Sequence, residues 1–90
     1  MDDFDQYLKQ KLKDPAFEKE WNELELEHQV QEALIKARTE AHMTQAELAE
    51  KSGIRQSNIS RIENGNAVPR LDTLYALASA MDKKVKITLL

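Results

Sequence analysis

The sequence predicts an all-α fold: a five-helix domain with an acidic helical N-terminal arm and a short C-terminal β-strand. Three observations carry that expectation. The 90 residues include only two Gly and two Pro, too few turn residues for an all-β chain. Apolar side chains recur at helical spacing along most of the sequence. Between these stripes stand a capping box at Thr44-Gln45-Ala46-Glu47 and two glycine stops, Ser52-Gly53 and Asn64-Gly65, which mark where helices begin and end. A chain of this length has room for one hydrophobic core with an appended arm.

In the arm, Phe4, Tyr7, Leu8 and Leu12 share one side of a helix predicted over residues 4–13. Asp14-Pro15 interrupts it, because proline disfavours helix at the preceding residue; Asp14 can then cap a second helix with Pro15 at its first position. Phe17, Trp21, Leu24 and His28 continue at i, i+4, i+7 and i+11, with Glu18, Glu20, Glu23 and Glu27 on the other sides. The spacing is compatible with a break near residues 24–27 or with a helix that runs on. Val30, Leu34, Ala37 and Ala41 then predict a helix over residues 29–41.

Thr44 and Glu47 can satisfy each other's amides, so a helix starts there. Gly53 stops it and turns the chain sharply. Ile59 and Ile62 anchor the next helix, of about ten residues. Its opposite side presents Ser57, Ser60, Arg61 and Asn64, all polar and none acidic. Pro69 closes the following loop, and Leu71, Leu74, Leu77, Ala78 and Met81 mark a last helix over residues 71–81. Residues 85–90 alternate and are rich in β-branched side chains, the pattern of a strand. A lone strand needs a partner, so this one is the expected contact of a homodimer, with the exposed side of the last helix as second candidate.

Charge divides the chain. Residues 1–35 hold four lysines and ten acidic groups, a net of −6; residues 36–90 hold nine Lys and Arg and six acidic groups, a net of +3. Binding of a polyanion follows local potential, so the overall −3 leaves nucleic acid open as a partner of the second half. The acidic arm suits a basic protein surface, or serves only as a solvated face.

Other classes lack support. The absence of Cys removes disulfides, thiolate metal sites and thiol nucleophiles. No apolar run spans a bilayer, and the opening MDDFDQ lacks the features of a signal peptide, so no membrane partner and a cytoplasmic location are expected. His28 and His42 have no second ligand at metal spacing. Glu23 and Glu25 lie on different sides of a helix, and no nucleophile stands beside a base. No glycine loop cradles phosphate. The sequence therefore predicts no enzyme, no metal and no cofactor.

Two short helices joined through a glycine turn, the second apolar inside and polar outside, are what a helix-turn-helix requires. Residues 55–61, Arg-Gln-Ser-Asn-Ile-Ser-Arg, supply hydrogen-bonding side chains for a major groove without a carboxylate to repel phosphate. Arg55 and Arg61 can pair with guanine edges or phosphates, Gln56 with adenine, and Ser57 and Asn58 with bases or backbone. Glu63 is expected to point elsewhere or to cap locally. One such helix covers only a few base pairs, so specificity calls for a dimer whose reading helices stand about 34 Å apart on a palindromic operator. The blander alternatives are a helical bundle that binds no DNA and aromatic residues of the arm that pack on the chain's own body.

Residues 34–81 resemble the lambda-repressor/Cro (XRE) family of helix-turn-helix domains. The matching text is Thr44-Gln45-Ala46-Glu47-Leu48-Ala49, Gly53, Gln56-Ser57, Ile59-Ser60-Arg61-Ile62-Glu63-Asn64-Gly65, Pro69 and residues 71–77, with every spacing intact. The resemblance implies a lambda-repressor-like domain over residues 29–82 that binds double-stranded operator DNA. It further implies that Gln45 braces the backbone, that Arg55, Gln56, Ser57 and Arg61 read bases, and that Asn64 approaches a phosphate. Arg70 stands where the family often places a capping Ser or Thr, so either Asp72 caps or Arg70 meets a phosphate.

The arm, through Leu12-Lys13-Asp14-Pro15-Ala16-Phe17, Trp21, Leu24-Glu25-Leu26-Glu27 and Ala33-Leu34-Ile35-Lys36-Ala37-Arg38, is similar to the start of HigA-type antitoxins. Members often have Pro and Tyr where this chain has Leu26 and His28. That resemblance implies a toxin-binding arm over residues 1–28 and, as partner, a basic RelE-like ribonuclease that cuts messenger RNA; the dimer contact over residues 83–90 is expected from the strand pattern alone. Phe4, Tyr7, Leu8, Leu12, Phe17, Glu20, Trp21 and Leu24 are the expected toxin contacts. A stand-alone transcriptional regulator is the alternative.

Overall fold

The computed structural model describes residues 14–90. The helix expected over residues 4–13, with Phe4, Tyr7, Leu8 and Leu12, lies outside the described residues. The first described helix, α1 (Pro15–Glu40), is 26 residues long. Asp14 caps it by accepting from the Ala16 amide at 3.0 Å, and Pro15 fills the first position, where a missing N–H costs nothing. Leu24-Glu25-Leu26-Glu27 contains only good helix formers, so nothing in it breaks the ladder. The two helices left open by the sequence are one.

At the end of α1 the amides of His42 and Met43 turn back to the carbonyls of Thr39 (3.0 Å) and Arg38 (3.1 Å). The Thr44–Glu47 box then opens α2 (Gln45–Ser52): the Thr44 hydroxyl accepts from the Glu47 amide, and the Glu47 carboxylate accepts from the Thr44 amide, each at 3.1 Å. Hydrogen bonding from the Thr44 amide, and then from the Thr44 side chain, holds the Glu47 carboxyl below its ordinary pKa. Gly53, at φ 76°, ends α2 in the left-handed conformation that favours glycine. The helices α3 (Gln56–Glu63) and α4 (Leu71–Ala80) follow. None of the described helices is long and apolar enough to cross a membrane.

Leu34 of α1, Leu48 of α2, Ile59 and Ile62 of α3, Leu77 of α4 and Met81 just beyond it form one buried cluster. Ala37, Ala41, Met43, Ala49, Ile54, Ala67 and Ala80 pack around it. The helix α2 rests on both α3 and α4, and α1 rests on α3. This body uses only the second half of α1. Phe17 is half-buried, residues 18–29 are exposed on every side, and the helix becomes half-buried again at Val30 and Gln31.

The expected five helices and C-terminal strand need correction: the described residues form four helices and no strand. Residues 83–90 lack regular structure and are exposed, with Val85 at 38 %, Ile87 at 63 % and Leu89 at 93 %. Alternation supplies β-propensity, but a strand exists only by pairing, and every other described element is a helix. The last helix starts where the sequence placed it, at Leu71, though no side chain caps it.

Candidate nucleic-acid interface

The helix α3 is oriented by its two isoleucines. Ile59 is 0 % and Ile62 1 % exposed; at about 100° per residue, Ser57, Arg61 and Asn64 fall on the opposite side, and all three are exposed. Arg55, at the N-cap, and Gln56 are also exposed, while Asn58 and Ser60 are half-buried. Arg55, Ser57, Asn58 and Arg61 line one open concavity together with Gly53 and Ile54; Gln56 and Asn64 stand outside that lining. Among the described residues neither Arg55 nor Arg61 takes part in an ion pair, so both guanidiniums keep their donors for an anionic or base-edge acceptor. The Asn64 amide reaches the Ser60 hydroxyl at 3.5 Å.

Behind this surface lies a polar cluster that the sequence reading did not find. Glu63, expected to point elsewhere or to cap locally, is 6 % exposed. Its carboxylate accepts from Arg38 Nε at 2.8 Å, Arg38 Nη2 at 2.9 Å and Gln45 Nε2 at 3.0 Å. Arg38 Nη1 also donates to the Met43 carbonyl at 2.9 Å, and the Gln31 side-chain amide donates to the Glu63 carbonyl. One carboxylate thus ties α1, the start of α2 and the end of α3. Gln45, half-buried at the start of α2, is held in place by Glu63. The signal in the sequence was weak but real: Glu63 is four residues after Ile59 and Arg38 four after Leu34, so two charges of opposite sign sit on core-facing sides.

Burial pushes the Glu63 carboxyl up, yet the hydrogen bonds from Arg38 and Gln45 and the Arg38 charge outweigh it, and its pKa lies below the ordinary value. The same hydrogen bond raises Arg38, against the effect of burial. A carboxyl whose pKa is depressed by folding adds stability above its unfolded value of about 4.3 and loses it as the pH falls through the folded value. The stability of the chain, read by urea denaturation, is therefore expected to fall below about pH 4.3, and Glu63→Gln to flatten that part of the pH profile. A slope unchanged in Glu63→Gln would locate the acid sensitivity elsewhere.

Arg70, expected as a cap departure or a phosphate contact, has its side chain 84 % exposed and 3.4 Å from Asp72. Asp72 sits within the first turn of α4 and accepts from the Thr73 amide at 2.8 Å, so it does not occupy the N-cap. On the exposed half of α1, Phe17 and Trp21 stack with ring centroids 6.5 Å apart and planes 18° apart. Leu24 beside them is 62 % exposed, and Glu20 is exposed.

A helix-turn-helix family model matches residues 34–87, which takes in α2, the glycine turn and α3. The chain belongs to this helix-turn-helix family. Among helix-turn-helix relatives, an uncharacterized HTH-type transcriptional regulator of Haemophilus influenzae is 34 % identical over 74 % of this chain and 82 % of its own. Another, the uncharacterized HTH-type transcriptional regulator y4dL of Sinorhizobium fredii, is 42 % identical over 66 % of this chain and 30 % of its own. The chain is also similar to Antitoxin HigA1 of Mycobacterium tuberculosis, at 32 % identity over 84 % of its length, in keeping with the HigA-type resemblance of the arm. It spans about half, 51 %, of that antitoxin. No solved structure matches the chain significantly.

Proposed function

We propose that this helix-turn-helix chain is an antitoxin: as a homodimer it binds operator DNA and represses its own operon, and through the exposed half of α1 it blocks a RelE-like, mRNA-cleaving toxin. The observation that carries the second activity is the pair of exposed apolar side chains Trp21 and Leu24. By helical rotation it lies about 100° around α1 from Leu34, the residue of α1 buried at 3 %. A face turned away from the body's core is placed for a partner. An isolated helical stretch is marginal in water, and its acidic surroundings complement a basic surface. The similarity to Antitoxin HigA1 supports the same reading.

For DNA, Arg55, Gln56, Ser57 and Arg61 read bases, Asn58 serves either bases or backbone, and Gln45, Asn64 and Arg70 approach phosphates. The exposed side of α4, with Leu71 at 69 % and Tyr75 at 68 %, is the candidate dimer surface. Arg61→Ala is expected to weaken operator binding by about 1 to 3 kcal/mol and relax base preference, whereas Lys51→Ala shifts only sequence-independent affinity. Electrophoretic or anisotropy titration against DNA upstream of the chain's own gene reads both effects; an Arg61→Ala chain with full operator affinity overturns the docking. Deleting residues 1–28 is expected to end protection against a co-expressed toxin and to spare operator binding. A deletion that still protects would leave the stand-alone regulator, which the Haemophilus influenzae relative favours.

A further inference from the structure

The last four carbonyls of an α-helix have no partner inside the helix. In α3 they belong to Ser60, Arg61, Ile62 and Glu63. The chain that follows takes three of them: Asn64 donates to Ser60 at 2.9 Å, Gly65 to Ile62 at 3.1 Å and Asn66 to Arg61 at 2.8 Å. The last two bonds are a Schellman closure, which Gly65 permits at φ 78°. Glu63 is left over, and the donor to its carbonyl comes from 32 residues earlier, the side-chain amide of Gln31 on α1. A Cβ at position 65 would lie 3.3 Å from Gln31 Oε1, so the glycine that closes the helix also makes room for the amide that completes it.

We propose that Gln31 is a positioning residue for DNA reading: by holding the Glu63 carbonyl it fixes the end of α3 and so the directions of Arg61 and Asn64. This rests on the reading of α3 as the DNA-contacting helix. Gln31 makes no hydrogen bond to Arg55, Gln56, Ser57, Arg61 or Asn64; its side-chain amide donates to the helix end. Its loss therefore separates sequence-specific from sequence-independent binding, because the latter comes from phosphate attraction and tolerates a loosened helix end.

Two substitutions isolate the donor. Gln31→Met keeps length and helix propensity without an N–H, and Gln31→Lys returns a donor that a helix C-terminus favours. In the free full-length protein, hydrogen exchange of the Asn64, Gly65 and Asn66 amides is expected to speed up about fivefold in Gln31→Met, the effect of one lost hydrogen bond, with α2 amides unchanged and Gln31→Lys near wild type. On DNA upstream of the chain's gene, affinity is expected to fall about fivefold in Gln31→Met, while affinity for a scrambled duplex at equal salt stays constant. Unchanged exchange at the cap overturns the proposal, as does a parallel loss on both duplexes. A wild-type chain with no preference between the duplexes fails the reading of α3 itself, a result distinct from the exchange measured without DNA.

Discussion

Arg38→Ala is expected to destabilise the fold by about 3 kcal/mol, because it strands a buried carboxylate. The Glu63 side chain is 5 % exposed, and two of the three donor contacts to it come from Arg38. The Met43 carbonyl loses its Arg38 donor as well. A small domain has roughly 5 to 15 kcal/mol in total, so this single change lowers the melting temperature by about 15 °C, as read by circular dichroism. The pair itself is a different matter: Arg38→Met with Glu63→Leu is expected to recover most of the loss, since a packed apolar pair replaces an ion pair at little net cost. A drop under about 1 kcal/mol in Arg38→Ala would mean that water reaches the pair and screens it, as at an exposed site.

On the antitoxin function proposed above, Trp21→Ala is expected to weaken toxin binding by about 2 kcal/mol or more, the usual loss at an aromatic anchor. Trp21 stacks on Phe17 in the exposed half of α1, so the change reaches no part of the buried cluster. Operator binding is expected to stay constant. Leu26 is the control: it is 62 % exposed and lies about 140° around α1 from Trp21. Leu26→Ala is expected to leave toxin affinity alone. Calorimetric titration with the purified product of the adjacent gene distinguishes the faces, and a loss on Leu26→Ala with none on Trp21→Ala would put the partner on the wrong side of the helix.

What the sequence disclosed was set by the range of the interactions. The Thr44–Glu47 box, the turn at Gly53 and the burial of Ile59 and Ile62 are decided within a few residues, and the helix-turn-helix half was readable from them. The continuity of α1 was left open because the break at Asp14-Pro15 had no counterpart at residues 24–27 to compare with. Residues 85–90 misled for the opposite reason: their alternation is a local preference, and pairing is not local. The contacts from Gln31 and Arg38 to Glu63 cross 32 and 25 residues. Periodicity ranks such positions as core-facing or exposed but does not say which charge meets which.

Since no loop separates Trp21 from Gln31, the ten-residue step from one to the other acts as a stiff spacer of about 15 Å with a defined rotational phase. A molecule gripping the Trp21 side therefore takes a fixed bearing relative to α3. One added alanine near residue 29 turns that bearing by about 100° while lengthening the spacer by only about 1.5 Å. Whether a bound partner overhangs the duplex or clears it is a matter of azimuth, written in the number of residues in α1.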